Sequence, residues 1–500
     1  MVRSLITLLV TTASVGAFAQ GPVAAPLSPA GTKVIILSQR DVAELALKQG
    51  FRTKEVNLTY QQNRFPYVQT LSLYDWQLSA ETGFEQDKSA SLLTGNGATD
   101  SKYERYRTIA SLSKPFTTGT TLGLELTRLS VKTDLGTFST PTPPPSEQTL
   151  DSAGIILEQA LLGNFFGVAD RAIVNSAEAS YKASEIIWTN ELEEVVLEAI
   201  RLYWDTYVSQ ENFKEATASR DRYKQLVDSV KRKTSLGYSA PGELSQVQAE
   251  FEGREQTVKL ASTAFLTNME NLVTNLDLPT GTEIQFATPK DIPPVPKLVE
   301  KKVEDLRIVK SQKLKVEAAN DSLTAAKSER YPTLNLVGRA YTSGVDETSE
   351  GSYSELASGT RPKYYIGLRF AYNFGSDIQK ETVITRRLQK ELEETRLQRQ
   401  LLQSQDSEDQ AVRRVQATYA IAQSAAKQKV FREKAATELT RSFNQGRTDI
   451  SILIEALNKF FSSEVVYSQA VGEYAIALNE WAAVRDELIP DDQAKNQSMK

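Results

Sequence analysis

Residues 168–236 contain no glycine and no proline, although the chain carries 25 Gly and 18 Pro elsewhere. Leu192, Val195, Val196, Ala199, Leu202 and Tyr203 recur there at spacings of three and four, the stripe of an amphipathic helix. Unbroken, such a helix runs roughly 100 Å. Helices of ordinary globular domains span only about 8–20 residues. A second Gly/Pro-free stretch, residues 376–445, carries a similar stripe in Val412, Val415, Tyr419, Ala422, Ala426 and Val430. Both follow a Phe-Gly pair, Phe166-Gly167 and Phe374-Gly375, and both end on a glycine, Gly237 and Gly446, before a further helical pattern. The chain reads as an internal repeat.

The offsets refine that reading. Gly167 to Gly375 is 208 residues and Gly237 to Gly446 is 209, but Pro66 to Pro332 is 266. The excess of 58 falls between about residues 91 and 150, so the first repeat is expected to carry an inserted β-hairpin with its loops.

Composition excludes much. With 58 Lys+Arg against 63 Asp+Glu, a net charge of −5, there is no electrostatic case for nucleic acid. The chain has no Cys and no His, which removes disulfides, Cys/His zinc sites and every nucleophile–imidazole pair. No acid/base pair or phosphate-cradling loop stands out, so no enzymatic activity, cofactor or metal is expected. Arg3, the apolar residues 5–15 and Ala17-Phe18-Ala19 form a secretory signal over residues 1–19, with Gln20 first in the mature chain. No later run of 18 apolar residues offers a membrane helix, which leaves either an exported soluble protein or a β-barrel.

Residues 20–33 read as a flexible leader and 34–283 as repeat 1. Ser38 and Asp41 cap a helix running toward Asn63 and stopped at Phe65-Pro66, with short β segments from Tyr67 to Glu85. A loop is expected over 91–100, a hairpin around Thr117 to Thr120, a loop over 137–146 and a strand over 155–162. The long helix, a tip at 237–242 and a return helix follow. Residues 284–299 form a Pro-rich connector. Repeat 2 spans 300–489: a helix to Glu329, barrel strands over 331–374 with a polar loop at 342–362, the long helix 376–445, a tip at 446–450 and its return helix. Residues 490–500 are a polar tail.

The strand at 364–374 is the most explicit. Tyr364, Ile366, Leu368, Phe370, Tyr372 and Phe374 share one face, with Tyr365, Gly367, Arg369, Ala371 and Asn373 on the other, as on a lipid-facing barrel strand. A half-buried strand of a soluble sandwich alternates in the same way; the signal peptide tips the balance toward the barrel.

Five segments in order resemble the TolC family of outer-membrane efflux proteins: YVQTLSLYDW, GIILEQALLGNFFGVADRA, SLGYSAPGELSQVQAEF, RYPTLNLVGRAY and FNQGRTDISILIEALNKF. The resemblance implies an α+β membrane protein. Three copies would complete one transmembrane β-barrel in outer-membrane lipid, continued by a long α-helical barrel in the periplasm. It further implies passive exit of small molecules or proteins, as the duct of a tripartite efflux or type I secretion system. The partners would be an inner-membrane transporter and a periplasmic adaptor. A non-transport helical spacer of the envelope is the alternative.

Family members often have two strands per repeat, about twelve per trimer; the inserted hairpin would add to that number or fold outside the membrane. At the second tip, the family's two acidic entrance residues align with Ile452 and Glu455, so only one carboxylate carries over. Three copies of Glu455 would still form a negative ring, and a solvated helix-face glutamate is the plainer alternative. Gly237 and Gly446 suit helix C-caps. Their contact with an adaptor, with neighbouring Tyr238 and Arg447, is implied only by the resemblance. Glu243, at the matching place in the first tip, reads as a helix-start carboxylate.

Overall fold

The structure, a computed structural model, describes residues 34–93, 97–134, 147–238, 240–287, 292–297, 301–372, 374–375 and 377–489. The stretches expected to be a signal peptide, a leader, the 137–146 loop and a polar tail lie outside the described residues.

After strand β1 (Val34–Leu37), Ser38 caps α1 (Gln39–Gln49) in a complete capping box with Asp41. The helix expected to reach Asn63 is broken at Gly50 and resumes as α2 (Phe51–Asn63). Phe65-Pro66 does not stop it for a strand. Pro66 falls in the first turn of α3 (Phe65–Ser72), where its fixed φ suits a helix and its missing N–H has no partner to lose. The β segments expected from Tyr67 therefore give way to helix, and β2 begins later and runs further (Gln77–Leu93). The loop expected over 91–100 is much shorter, because β3 (Gly97–Pro115) starts at Gly97. β4 (Thr120–Asp134) and β5 (Glu147–Leu162) complete the strands of the first half.

Helix α4 (Val168–Ser235) is one element of 68 residues, and α5 (Glu243–Asn275) returns along it. The connector is not wholly irregular: β6 (Glu283–Phe286) pairs in parallel with β1. A parallel pair needs distant segments, which no local pattern could reveal. A short 3-10 turn precedes α6 (Arg307–Glu329), which starts seven residues later than position 300. β7 (Thr333–Asp346) continues past Tyr341, and α7 (Ser349–Ser358) occupies what reads as a polar loop. Thr348 starts α7 by accepting the Gly351 N–H at 3.1 Å. β8 (Pro362–Ala371) ends before Tyr372 and Phe374, whose rings instead meet edge to face at 4.9 Å. The chain closes with α8 (Asp377–Asn444), also 68 residues, and α9 (Ile450–Val484).

Six strands form one antiparallel sheet in the order β2-β3-β4-β5-β7-β8. The hairpin β3–β4, which covers the stretch expected as an insertion, lies inside the sheet, and β5 pairs with β7. Below the sheet, α4 packs against α5, α6 and α9, and α8 packs against α6 and α9. The largest core sits midway along α4, where Leu192, Val196, Ile200 and Tyr203 meet α1, α5 and the β1–β6 pair. Tyr203 donates to the Leu37 carbonyl at 3.3 Å there. A second core holds the far ends of α4, α5, α8 and α9 together through Tyr223, Val247, Phe443 and Leu453. Among the described residues, no helix is long and apolar enough to cross a membrane.

Candidate functional site

The pleat sends alternate residues of each strand to opposite faces, and antiparallel partners share a face. On one face Leu78 of β2, Leu112 of β3, Leu124 of β4 and Ile155 of β5 pair in an apolar row that continues through Ala340 of β7 to Tyr364 of β8, with Leu336 and Ile366 on the same face at other levels. Aromatic side chains share this face: Phe84 with Tyr106 at 4.8 Å, and Tyr364. Within β8, Tyr364, Ile366, Leu368 and Phe370 all point to this face, Ile366 at 82% exposure.

The opposite face is polar. Glu158 accepts from Asn335 Nδ2 at 2.7 Å and from Arg369 Nη1 at 3.0 Å, joining β5, β7 and β8. Ser152, Arg339, Tyr341, Ser343 and Tyr365 line a recess on it, with Leu150 and Val337 among them. At the outer end of the apolar face, Arg128 grips Asp151 with two hydrogen bonds of 2.7 and 2.9 Å. Helix α7 is tied to the backbone there: Ser352 Oγ accepts the Asp151 N–H at 3.1 Å and donates to the Gly344 carbonyl at 2.9 Å.

At the other extreme, both long helices end in the same turn. Gly237 N–H donates to Thr234 O at 3.1 Å and Tyr238 N–H to Lys233 O at 2.9 Å; Gly446 donates to Phe443 O at 2.9 Å and Arg447 to Ser442 O at 3.0 Å. This paired pattern needs a left-handed residue after the cap, and Gly237 and Gly446 supply it at φ 75° and 73°. Tyr238 and Arg447 stand exposed beyond the turns. Glu243, in the first turn of α5, accepts the Ala240 N–H at 3.0 Å, so it secures the start of its helix. Ile452 and Glu455 are exposed on α9, and Glu455 is ion-paired with Lys459 one turn on. That hydrogen bond holds the Glu455 carboxyl below its usual range, and the pair as a whole is neutral.

Sequence reading missed how the tips are tied. Tyr223 on α4 donates to Asn458 Oδ1 on α9 at 2.5 Å, and Arg254 on α5 donates to the same oxygen at 2.7 Å. Lys233 Nζ donates to the Phe443 carbonyl at 2.9 Å and lies 3.7 Å from that ring's centre. The signal was too dispersed, since Tyr223 and Asn458 are 235 residues apart. Higher up, Glu193 on α4 sits 3.0 Å from Arg307 on α6 and accepts the Ile489 N–H at 2.9 Å. Burial pushes its carboxyl up to about 7. Glu464 on α9, 2.8 Å from Arg222, is likewise pushed up to about 7, by burial and then by Glu215.

No protein-family model and no curated protein sequence matches the chain. Solved structures do. The Campylobacter jejuni CmeC outer membrane channel superposes with a TM-score of 0.67 at 14% identity, covering 92% of this chain and 89% of that one. CusC, described for its transmembrane channel formation, gives 0.67 at 12% identity over 89% and 91% of the two chains. The open state of the Neisseria gonorrhoeae MtrE outer membrane channel gives 0.65 at 13% identity over 90% and 89%. At these identities the likeness is one of architecture, and it spans nearly the whole of both chains: this protein has the fold of the outer-membrane channels.

Proposed function

We infer that the protein is an outer-membrane channel-tunnel with no chemistry of its own. Three copies close the sheet into a barrel in outer-membrane lipid, and their long helices continue it as a periplasmic duct. The carrying observation is the two-faced sheet set end-on to two 68-residue helices. Apolar residues on one face and charged ones on the other suit a wall between lipid and water. Exposed Ile378, Ile384, Leu388, Leu392 and Leu402 along α8 give a single copy reason to associate.

On this reading the exposed tip turns, with Tyr238 and Arg447, meet a periplasmic adaptor. Ile452 and Glu455 stand near the entrance, where the Lys459 partner blunts a purely negative ring. Cargo handed over by an inner-membrane transporter, small molecules or proteins, leaves passively. The test pairs membrane fractionation with ethidium accumulation in cells lacking the protein. Recovery in the outer membrane and raised accumulation, reversed by the intact gene, would support a multidrug route. Outer-membrane recovery with unchanged accumulation would point to secretion of dedicated cargo. A soluble periplasmic protein without conductance in planar bilayers would end the reading.

A further inference from the structure

We propose that the inserted hairpin is part of the transmembrane wall, so that each copy contributes six strands and the assembled barrel has eighteen. The proposal rests on the three-copy channel reading and goes beyond it in strand number and lumen width.

The hairpin's position leaves little freedom. β3 pairs with β2 from Gln77↔Ser113 to Leu93↔Gly97, and β4 pairs with β5 from Thr120↔Gln159 to Lys132↔Glu147. β2 and β5 have no ladder with each other among the described residues. Withdrawing β3–β4 from the wall would therefore open two long ladders in lipid, where unsatisfied backbone groups cost several kcal/mol each. A flap hung from an edge strand would be free to leave; this hairpin is in the middle of the sheet.

Its side chains match its place. Leu112 faces Leu124 and Ala110 faces Leu126 on the apolar side, at the height of Leu78 and Ile155. Between them Ser111 pairs with Glu125 on the polar side. Leu126 is 57% exposed in the single copy, comparable to Leu368 at 64% on β8. A hairpin in water has no use for an apolar row continuous with its neighbours'. The turn at the base is fixed too, since Ala160 N–H donates to the Gly119 carbonyl at 2.9 Å.

Among the described residues β2 and β8 are the two edges, each with one partner. Six strands do not close on themselves here, and the remaining partner for each edge is the opposite edge of another copy. Eighteen is an even number inside the range such barrels use. With strands about 4.8 Å apart and tilted about 40°, the backbone cylinder is about 36 Å across, against about 24 Å for twelve strands. The barrel is then as wide as that of a large porin, and the helical entrance sets the size limit for cargo.

The native chain has no cysteine, so single thiols can map the wall in the full-length protein reconstituted in liposomes. Bimane is placed at Leu112 and Leu126, at Ser111 and Glu125, and at benchmark positions Ile366 and Arg369 on β8. Nitroxide on the lipid acyl chains should quench the label at Leu112, Leu126 and Ile366. A charged thiol reagent should react at least tenfold faster with cysteine at Ser111, Glu125 and Arg369. Quenching at Ile366 with none at Leu112 and Leu126 would place the hairpin outside the bilayer and overturn the proposal alone. Loss of quenching at Ile366 as well would overturn the channel reading with it. End-on single-particle images of the unmodified protein in nanodiscs give an independent count: six strands per copy supports the proposal, and four refutes it.

Discussion

Gly167 and Gly375 hold the same place in the two halves, after a phenylalanine and before a 68-residue helix, at φ 76° and 75°. From the sequence the two alanine substitutions should cost the same. Their surroundings differ. A Cβ on Gly375 meets nothing within 4 Å. One on Gly167 would lie 2.0 Å from Thr117 O, 2.5 Å from Thr118 C and 2.6 Å from Gly119 N. Gly375→Ala should thus cost little more than left-handed strain, about 1–2 kcal/mol, partly offset by a stiffer unfolded chain, about 0.4–1 kcal/mol. Gly167→Ala carries the same strain and must push the backbone of the β3–β4 turn away by about 1 Å, an overpacking penalty of about 1–3 kcal/mol more. Guanidinium titration in detergent, followed by circular dichroism at 222 nm, should place Gly167→Ala lowest, Gly375→Ala between and the parent highest. Hydrogen exchange should quicken at residues 116–120 in the first variant only. Equal midpoints for the two variants, or the reverse order, would refute the argument that the inserted hairpin braces the start of α4.

Two further outcomes follow from the helical region. Tyr223→Phe removes the hydroxyl from Asn458 while Arg254 remains on the same oxygen. The loss should be about 1 kcal/mol, read as faster hydrogen exchange in the first turns of α9 with unchanged exchange near Leu192. The buried Glu193 carboxyl, at about 7 against an ordinary 4.5, binds its proton more tightly folded than unfolded. Its contribution is therefore complete below about pH 4.5 and lost as pH rises through 7, so stability should fall from pH 5 to pH 8 by about 1–3 kcal/mol per chain. Glu193→Gln should flatten that part of the profile, with Glu464 contributing a remaining slope of the same sign.

The features legible in the sequence were those written in consecutive residues. The two rods, the Ser38 cap, the turn glycines and the alternation at 364–370 each follow from local periodicity or from a conformation one residue type accepts cheaply. The ends of α5 and α9 show the limit of that rule. They close with the same paired hydrogen bonds as the tips, but their left-handed residues are Asp277 and Asp486, at φ 51° and 52°. Each aspartate has a tertiary partner instead: Asp277 meets Lys54 at 2.7 Å, and Asp486 accepts the Arg307 N–H at 2.7 Å. A proline likewise told two stories. Pro332 lies between α6 and β7, yet Pro66 starts α3, because a proline breaks a helix only where an N–H is needed.

By itself the sequence determined that the chain would be two long rods with strands between, since a run without glycine or proline and with a 3.6-residue stripe has few other ways to satisfy its backbone. The offsets between its repeated glycines and prolines also lead us to expect a hairpin's length of extra chain in the first half. Tertiary structure alone decided where that hairpin went, that β1 would pair with β6 across 249 residues (Val34↔Glu283), and that Tyr223, Arg254 and Asn458 would meet at the tips. These are contacts between segments far apart in the chain. Their free energy comes from shared burial and paired hydrogen bonds that exist only once the helices have been brought side by side.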